Sequence, residues 1–175
     1  MMPPIRRDRI HALSFAYEVG HKMQKPNIVI ADLDGTIALI EHRRHWLDAE
    51  LHPDMTTDER WRKFFAECVN DQPNWPVIRT LQALQGAGYY IHIFSGRSDE
   101  VREQTIDWVE SFNVPYNHLR MRAVGDFTKD EELKRQWVTE YDLSRILCVF
   151  DDRQKVVDMW RELGATCFQV APGDF

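Results

Sequence analysis

Cysteine is scarce in this chain: Cys68, Cys148 and Cys167 are odd in number and far apart. With no paired spacing there is no disulfide framework to read, and the pattern is that of buried free thiols in a reducing cytosol. Long apolar runs are missing as well. Nothing after Met1-Met2-Pro3-Pro4-Ile5-Arg6-Arg7-Asp8-Arg9 is extended enough for a signal peptide or a membrane span, so a cytoplasmic chain is expected. Basic charge is in deficit, with 22 Lys and Arg against 28 Asp and Glu and a net charge of −6. A protein that coats nucleic acid nonspecifically needs a broad basic surface, and this balance argues against one while leaving room for a local basic pocket. There is no internal repeat, no low-complexity tract and no sign of a second domain.

What is present suits one enzyme domain. Of 175 residues 43% are apolar, including six Trp and nine Phe, enough to bury a real core. The spacing of Ile10, Leu13, Ala16 and Tyr17 predicts a helix over 5–23, making 1–26 a helical extension before a main domain at 27–175. Strands are expected at 28–32, 89–94, 118–122, 146–150 and 166–170. Helices are expected near 57–69, 76–86, 98–112, 130–140 and 153–163. Val77, Ile78, Leu81 and Leu84 have helical spacing, and Gly86-Ala87-Gly88 stops that helix. Alternating β and α over this length predicts an α/β fold, a Rossmann-like parallel sheet with helices on both faces. Residues 37–75 differ in character, being polar and holding Pro53 and Pro73, with Trp61, Phe64, Phe65 and Cys68 on one helical stretch. They read as a minimal helical cap.

Three of the β-rich runs stop at polar groups. Ile28-Val29-Ile30-Ala31 leads to Asp32-Leu33-Asp34-Gly35-Thr36, Tyr90 to Phe94 leads to Ser95-Gly96-Arg97, and Ile146 to Phe150 leads to Asp151-Asp152-Arg153. In open parallel sheets the carboxyl ends of strands are where ligands bind. Two acidic pairs, a hydroxyl and the ammonium of Lys134 together suggest Mg²⁺-dependent phosphate transfer. A carboxylate such as Asp32 can attack phosphorus and give an aspartyl-phosphate, but it is repelled by a phosphate dianion unless a divalent cation bridges them. Asp151 and Asp152 supply oxygen ligands of the kind Mg²⁺ prefers. Asp34 can protonate the leaving alkoxide and later take a proton from water. Ser95 and the Gly96 N–H can meet phosphate oxygens, and Lys134 can offset their charge.

With Asp32-Leu33-Asp34-Gly35-Thr36, Ser95, Lys134 and Asp151-Asp152 in this order, the chain resembles the haloacid dehalogenase superfamily of phosphohydrolases. The resemblance implies Asp32 as nucleophile and Asp34 as general acid/base. It also implies a metal held by Asp32, the Asp34 backbone carbonyl and Asp151, with Asp152 a direct or water-mediated partner. Ser95-Gly96-Arg97, Gly125-Asp126, Lys129-Asp130, Lys134 and the run from Asp151 to Arg161 are similar to the phosphatase half of phage polynucleotide kinase/3′-phosphatases, as is the ending from Cys167 to Phe175. That likeness adds Arg43 (Arg44 is the rival) and Arg97 as holders of substrate phosphate, with Arg97, two residues after Ser95, expected on the loop or first helical turn at the rim, and Asp130 as a substrate-side residue paired with Lys134.

No Gly-x-x-x-x-Gly-Lys-Ser/Thr loop occurs, so the kinase half is absent from this sequence. A separate kinase or ligase is then the expected partner, and a phosphorylated nucleic acid end or nucleotide the expected substrate. The cluster His42-Arg43-Arg44-His45-Trp46 is expected at the rim of an open cleft, mixing cations with a stacking aromatic. A small-nucleotide phosphatase acting on 5′-monophosphates, and a non-catalytic partner subunit, are the alternatives.

Overall fold

A computed structural model describes residues 25–173; the helix expected over 5–23 lies outside the described residues. Five strands form the main sheet: β1 (Ile28–Ala31), β4 (Tyr90–Ser98), β5 (His118–Arg122), β6 (Ile146–Arg153) and β7 (Cys167–Gly173). Their spatial order is β5-β4-β1-β6-β7, and every pairing is parallel. The chain builds outward from β1 on one side, then crosses to the other for β6. A ligand crevice belongs at such a reversal.

β1 is buried on both faces, which is why it reads as an unbroken apolar run. Val29 and Ala31 join one core with Ile78 and Leu81 of α2 (Trp75–Gly86) and Trp108 and Val109 of α3 (Arg102–Ser111). Ile28 and Ile30 point the other way. They pack with Leu133 and Trp137 of α4 (Asp130–Val138) and with Val157 and Trp160 of α5 (Gln154–Glu162). The alternation of side chains along one short strand thus supplies both cores of a three-layer α/β/α domain.

Two strands run further than their apolar stretches. β4 continues through Ser95-Gly96-Arg97-Ser98 and β6 through Asp151-Asp152-Arg153, and the ladder loses register between Ser95 and Ser98 and between Asp151 and Arg153. Polar residues of poor strand propensity are kept in the sheet by pairing with β5 and β7. The irregularities re-aim side chains where the site forms.

The segment between β1 and α2 leaves and returns at one place. Ala38–Leu39 (β2) pairs antiparallel with Gln72–Pro73 (β3), and Asn74 ties back to Thr36 and Ile37 through its side chain and backbone N–H. Between them lie a 3₁₀ turn at Glu41–Leu47 and α1 (Thr57–Ala66). Thr56 and Glu59 cap α1 reciprocally, side chain to backbone in both directions. Phe64, Phe65 and Cys68 pack on Val101 and Met121, seating this segment on the carboxyl end of the sheet. The helix expected to reach 69 ends at Ala66 and tightens into a 3₁₀ turn over Glu67–Asn70.

Candidate active site

β1 and β6 bring Asp32 and the Asp151-Asp152 pair to the carboxyl edge, and the first turns of α4 bring Lys134 against them. Lys134 Nζ donates to Asp32 Oδ1 at 2.6 Å and to Asp151 Oδ2 at 2.9 Å, and pairs with Asp130 Oδ2 at 3.2 Å. Asp152 Oδ1 accepts from Thr36 Oγ1 at 3.1 Å. All of these groups are buried. Gly35, with φ of +87°, presses its Cα against the Asp152 carboxylate, so a side chain there would collide with it.

Carboxylates outnumber the ammonium in this cluster. Burial drives the Asp32 carboxyl well above its ordinary range, and Asp151, Asp152 and Asp130 add to this against the pull of Lys134. Burial, then Asp151, pushes Asp152 up to about 7. Oxygens of Asp32, Asp151 and Asp152 lie within 4.8 Å of one another, and these three form the one such acidic group among the described residues. Buried oxygen donors with surplus negative charge fit a hard divalent cation.

The second carboxylate of the motif faces elsewhere. Arg43 Nη2 and Arg97 Nη2 each donate to Asp34 Oδ1 at 2.5 Å. Burial alone would raise this carboxyl, but the two guanidinium groups outweigh it and hold Asp34 well below the usual carboxylate range. Both arginines are fully buried and share a further partner, Asp71, whose Oδ2 accepts from Arg43 at 2.7 Å and from Arg97 at 3.0 Å. Arg43 also donates from Nε to Asp71 Oδ1 at 2.6 Å and from Nη1 to the Phe64 carbonyl. Thr105 Oγ1 holds the far side of Arg97. Two cations and two anions form a closed, oriented clamp.

A cavity of about 350 Å³ opens from this edge. Its lining is mixed: Asp32, Asp34, Gly96 and Asp130 stand among further charged groups such as Arg122 and Arg153, and Trp61, Phe65, Val124 and Phe127 add apolar surface. Ser95, Lys134, Arg43, Arg97, Asp151 and Asp152 stand behind its wall.

Several expectations change. Arg97, expected on a loop or first helical turn at the rim, is a fully buried strand residue, and neither it nor Arg43 is a solvated surface group. Arg43, not its rival Arg44, turns inward, and Arg44 is exposed. The Asp130 carboxylate engages Lys134, Arg122 and Arg153 and also lines the cavity. The His42–Trp46 cluster does not line the cavity: Trp46 stacks on His52 at 4.6 Å and bonds Glu67. The aromatic wall comes instead from α1. Asp71 escaped sequence reasoning altogether. No periodicity marks it, and its only signal is a charge count, since two arginines at a buried site leave one positive charge that Asp34 cannot match.

This sheet order and this set of motif residues at its carboxyl edge define a haloacid dehalogenase-like phosphohydrolase, a phosphoric monoester hydrolase. Residues 54–175 match the family model of the polynucleotide kinase PNKP phosphatase domain, and the chain belongs to that family. A relative from Autographa californica nuclear polyhedrosis virus, described as a bifunctional polynucleotide kinase/RNA ligase, is 30% identical over 159 residues, covering 89% of this chain and 20% of its own length. A chain of a Pnkp1/Rnl/Hen1 RNA repair complex superposes with a TM-score of 0.72 at 31% identity, over 90% of this chain and 46% of that one. A haloacid dehalogenase-like hydrolase from Streptococcus pneumoniae shares the fold, with a TM-score of 0.55 at 12% identity over 82% of this chain and 83% of that one. The chain therefore spans a fifth of the curated relative and under half of the RNA repair protein.

Proposed function

We propose that this chain is a Mg²⁺-dependent phosphatase that works through an aspartyl-phosphate on Asp32 and removes 3′-phosphates from nucleic acid or nucleotide ends. One juxtaposition carries the reading: Asp32 lines the cavity with Lys134 on one side and the clamped Asp34 beside it. In the first half-reaction an Asp32 oxygen bonds to phosphorus while the bond from phosphorus to the leaving oxygen breaks, and Asp34 protonates that oxygen. In the second, water attacks phosphorus, Asp34 takes the water proton, and the bond to Asp32 breaks to release phosphate. Mg²⁺, held by Asp32, Asp151 and Asp152, would neutralise the repulsion between phosphate and nucleophile. The Ser95 hydroxyl, the Gly96 N–H and Lys134 stabilise the phosphoryl oxygens.

Arg43 and Arg97 fit this scheme as phosphate holders whose donors also serve Asp34 and Asp71. An arriving phosphate competes for their donors. Each hydrogen bond that moves from Asp34 to the phosphate weakens the hold on its ionised form and favours the protonated acid. The relatives, a polynucleotide kinase/RNA ligase and a chain of an RNA repair complex, support a nucleic acid end as substrate and a separate kinase or ligase as partner.

Phosphate release from a 3′-phosphorylated oligonucleotide, measured beside 5′-mononucleotides and an aryl phosphate with Mg²⁺, tests the reading. The 3′-end is expected to have the highest kcat/KM. Faster turnover of 5′-monophosphates would transfer the assignment to the small-nucleotide reading, and inertness toward all three would remove hydrolysis itself.

A further inference from the structure

The cavity beside Asp32 has a lining of two kinds. Asp32 and Asp34 suit a phosphoryl group, whereas Trp61 and Phe65 of α1 and Val124 and Phe127 of the turn after β5 are apolar. Phe127 is 77% exposed and Val124 58%. A large bare ring a short way from a buried charge cluster has no role in the core, because Phe127 joins none of the three apolar clusters.

The turn that carries this ring is held in place. Arg122 bonds the Thr128 carbonyl at 2.5 Å and the Asp126 carbonyl at 3.3 Å, while its Nε bonds the Gly96 carbonyl at 2.8 Å. Val124 N–H donates to Asp99 Oδ1 at 2.8 Å, and Thr128 N–H to Asp126 Oδ1 at 2.8 Å. Elsewhere in the lining Trp61 stacks on Phe65 with ring centroids 5.4 Å apart. These lining groups are thus held by their own contacts, which lowers the ordering cost of binding a flat apolar group.

We propose that the apolar part of this lining is a base-stacking subsite, in which the terminal nucleobase of the substrate lies against the exposed Phe127 ring while its phosphate meets Asp32. The inference rests on the nucleic acid reading above and adds to it the part of the substrate that is gripped. Of the groups that a phosphorylated nucleic acid end carries, the nucleobase is the one whose planar faces can stack on aromatic side chains irrespective of its hydrogen-bonding edge. A volume of about 350 Å³ suits a single nucleotide rather than a duplex end. The base must therefore leave its stack to enter.

The test compares two oligonucleotides with 3′-phosphates, one with an intact terminal base and one abasic at that residue, for the wild-type protein and for Phe127→Ala and Phe127→Tyr. Phe127 is exposed, so neither variant disturbs the core. Wild type is expected to show a KM about tenfold lower for the intact end with little change in kcat. Phe127→Ala should erase that difference, and Phe127→Tyr, which keeps a ring, should retain it. Equal KM for intact and abasic ends, or a Phe127→Ala variant that still discriminates, overturns the subsite while leaving the phosphatase reading intact. Hydrolysis of an aryl phosphate with no turnover of either oligonucleotide overturns the subsite together with the nucleic acid reading on which it rests, and leaves only the phosphatase chemistry.

Discussion

Arg43 and Arg97, brought from a 3₁₀ turn and a strand of the main sheet, end on the same oxygen: each Nη2 stands 2.5 Å from Asp34 Oδ1. Two like charges converge this closely only because Asp34 and Asp71 lie between them, and that compensation makes the arrangement testable.

Removal of Asp71 leaves two buried guanidinium groups with a single carboxylate. Asp71→Ala is expected to destabilise the fold by about 3–5 kcal/mol, the usual cost of stranding a buried charge, with a smaller loss for Asp71→Asn. Urea denaturation measures this as a shift in midpoint. An Asp71→Ala midpoint within error of wild type would show that the clamp does not hold the cap segment.

Lysine cannot reproduce a forked contact with two acceptors. Arg43→Lys and Arg97→Lys are each expected to lower kcat/KM by roughly ten- to a hundredfold, about 1.5–3 kcal/mol, although charge is kept. Steady-state kinetics on a 3′-phosphorylated oligonucleotide provides the check, and unaltered kinetics would exclude both from phosphate binding.

Activity and stability should move in opposite senses at Asp32. Burial, with the carboxylates around it adding to the effect, already makes its ionised form unfavourable. Asp32→Asn should therefore melt at or above the wild-type temperature while hydrolysis falls on the order of a thousandfold or more. Residual turnover near wild type would rule out the covalent route. Asp34→Asn should lose most activity with poor leaving groups and much less with those that depart as stable anions. An equal loss on both would deny Asp34 the proton-transfer role.

Cation binding should relieve repulsion among Asp32, Asp151 and Asp152. Mg²⁺ is expected to raise the melting temperature of wild-type protein and to leave that of Asp151→Asn nearly unchanged. Chelation should stop phosphate release, and Ca²⁺, with its larger and looser coordination, should restore it poorly. Full activity after thorough chelation would remove the metal from the scheme.

The central strands were legible in the sequence because they are buried on both faces and read as apolar runs, as Val29 to Ala31 and Val149 to Phe150 do. Helix α2 was legible from the spacing of Val77, Ile78, Leu81 and Leu84. The polar tails of β4 and β6 were not, since Ser95-Gly96-Arg97 and Asp151-Asp152-Arg153 have little strand preference of their own and depend on neighbours for pairing. That misjudged end put Arg97 at the rim. The acidic motif residues were legible as a set, whereas Asp71, Arg122 and the aromatic wall follow from contacts between distant segments that no local pattern records.

The short β2–β3 pairing has a consequence for how this domain can be remodelled. Because Ala38–Leu39 and Gln72–Pro73 lie side by side, the stretch between them hangs from the sheet like a pendant on a single clasp. Such a stretch can be exchanged for one of another length at small entropic cost, since its two ends already meet. Here, however, the pendant carries Arg43 and Asp71, while Arg97 and Asp34 stay with the sheet. Any transplanted replacement must bring its own arginine and aspartate to the same places, or it will strand the charges left behind.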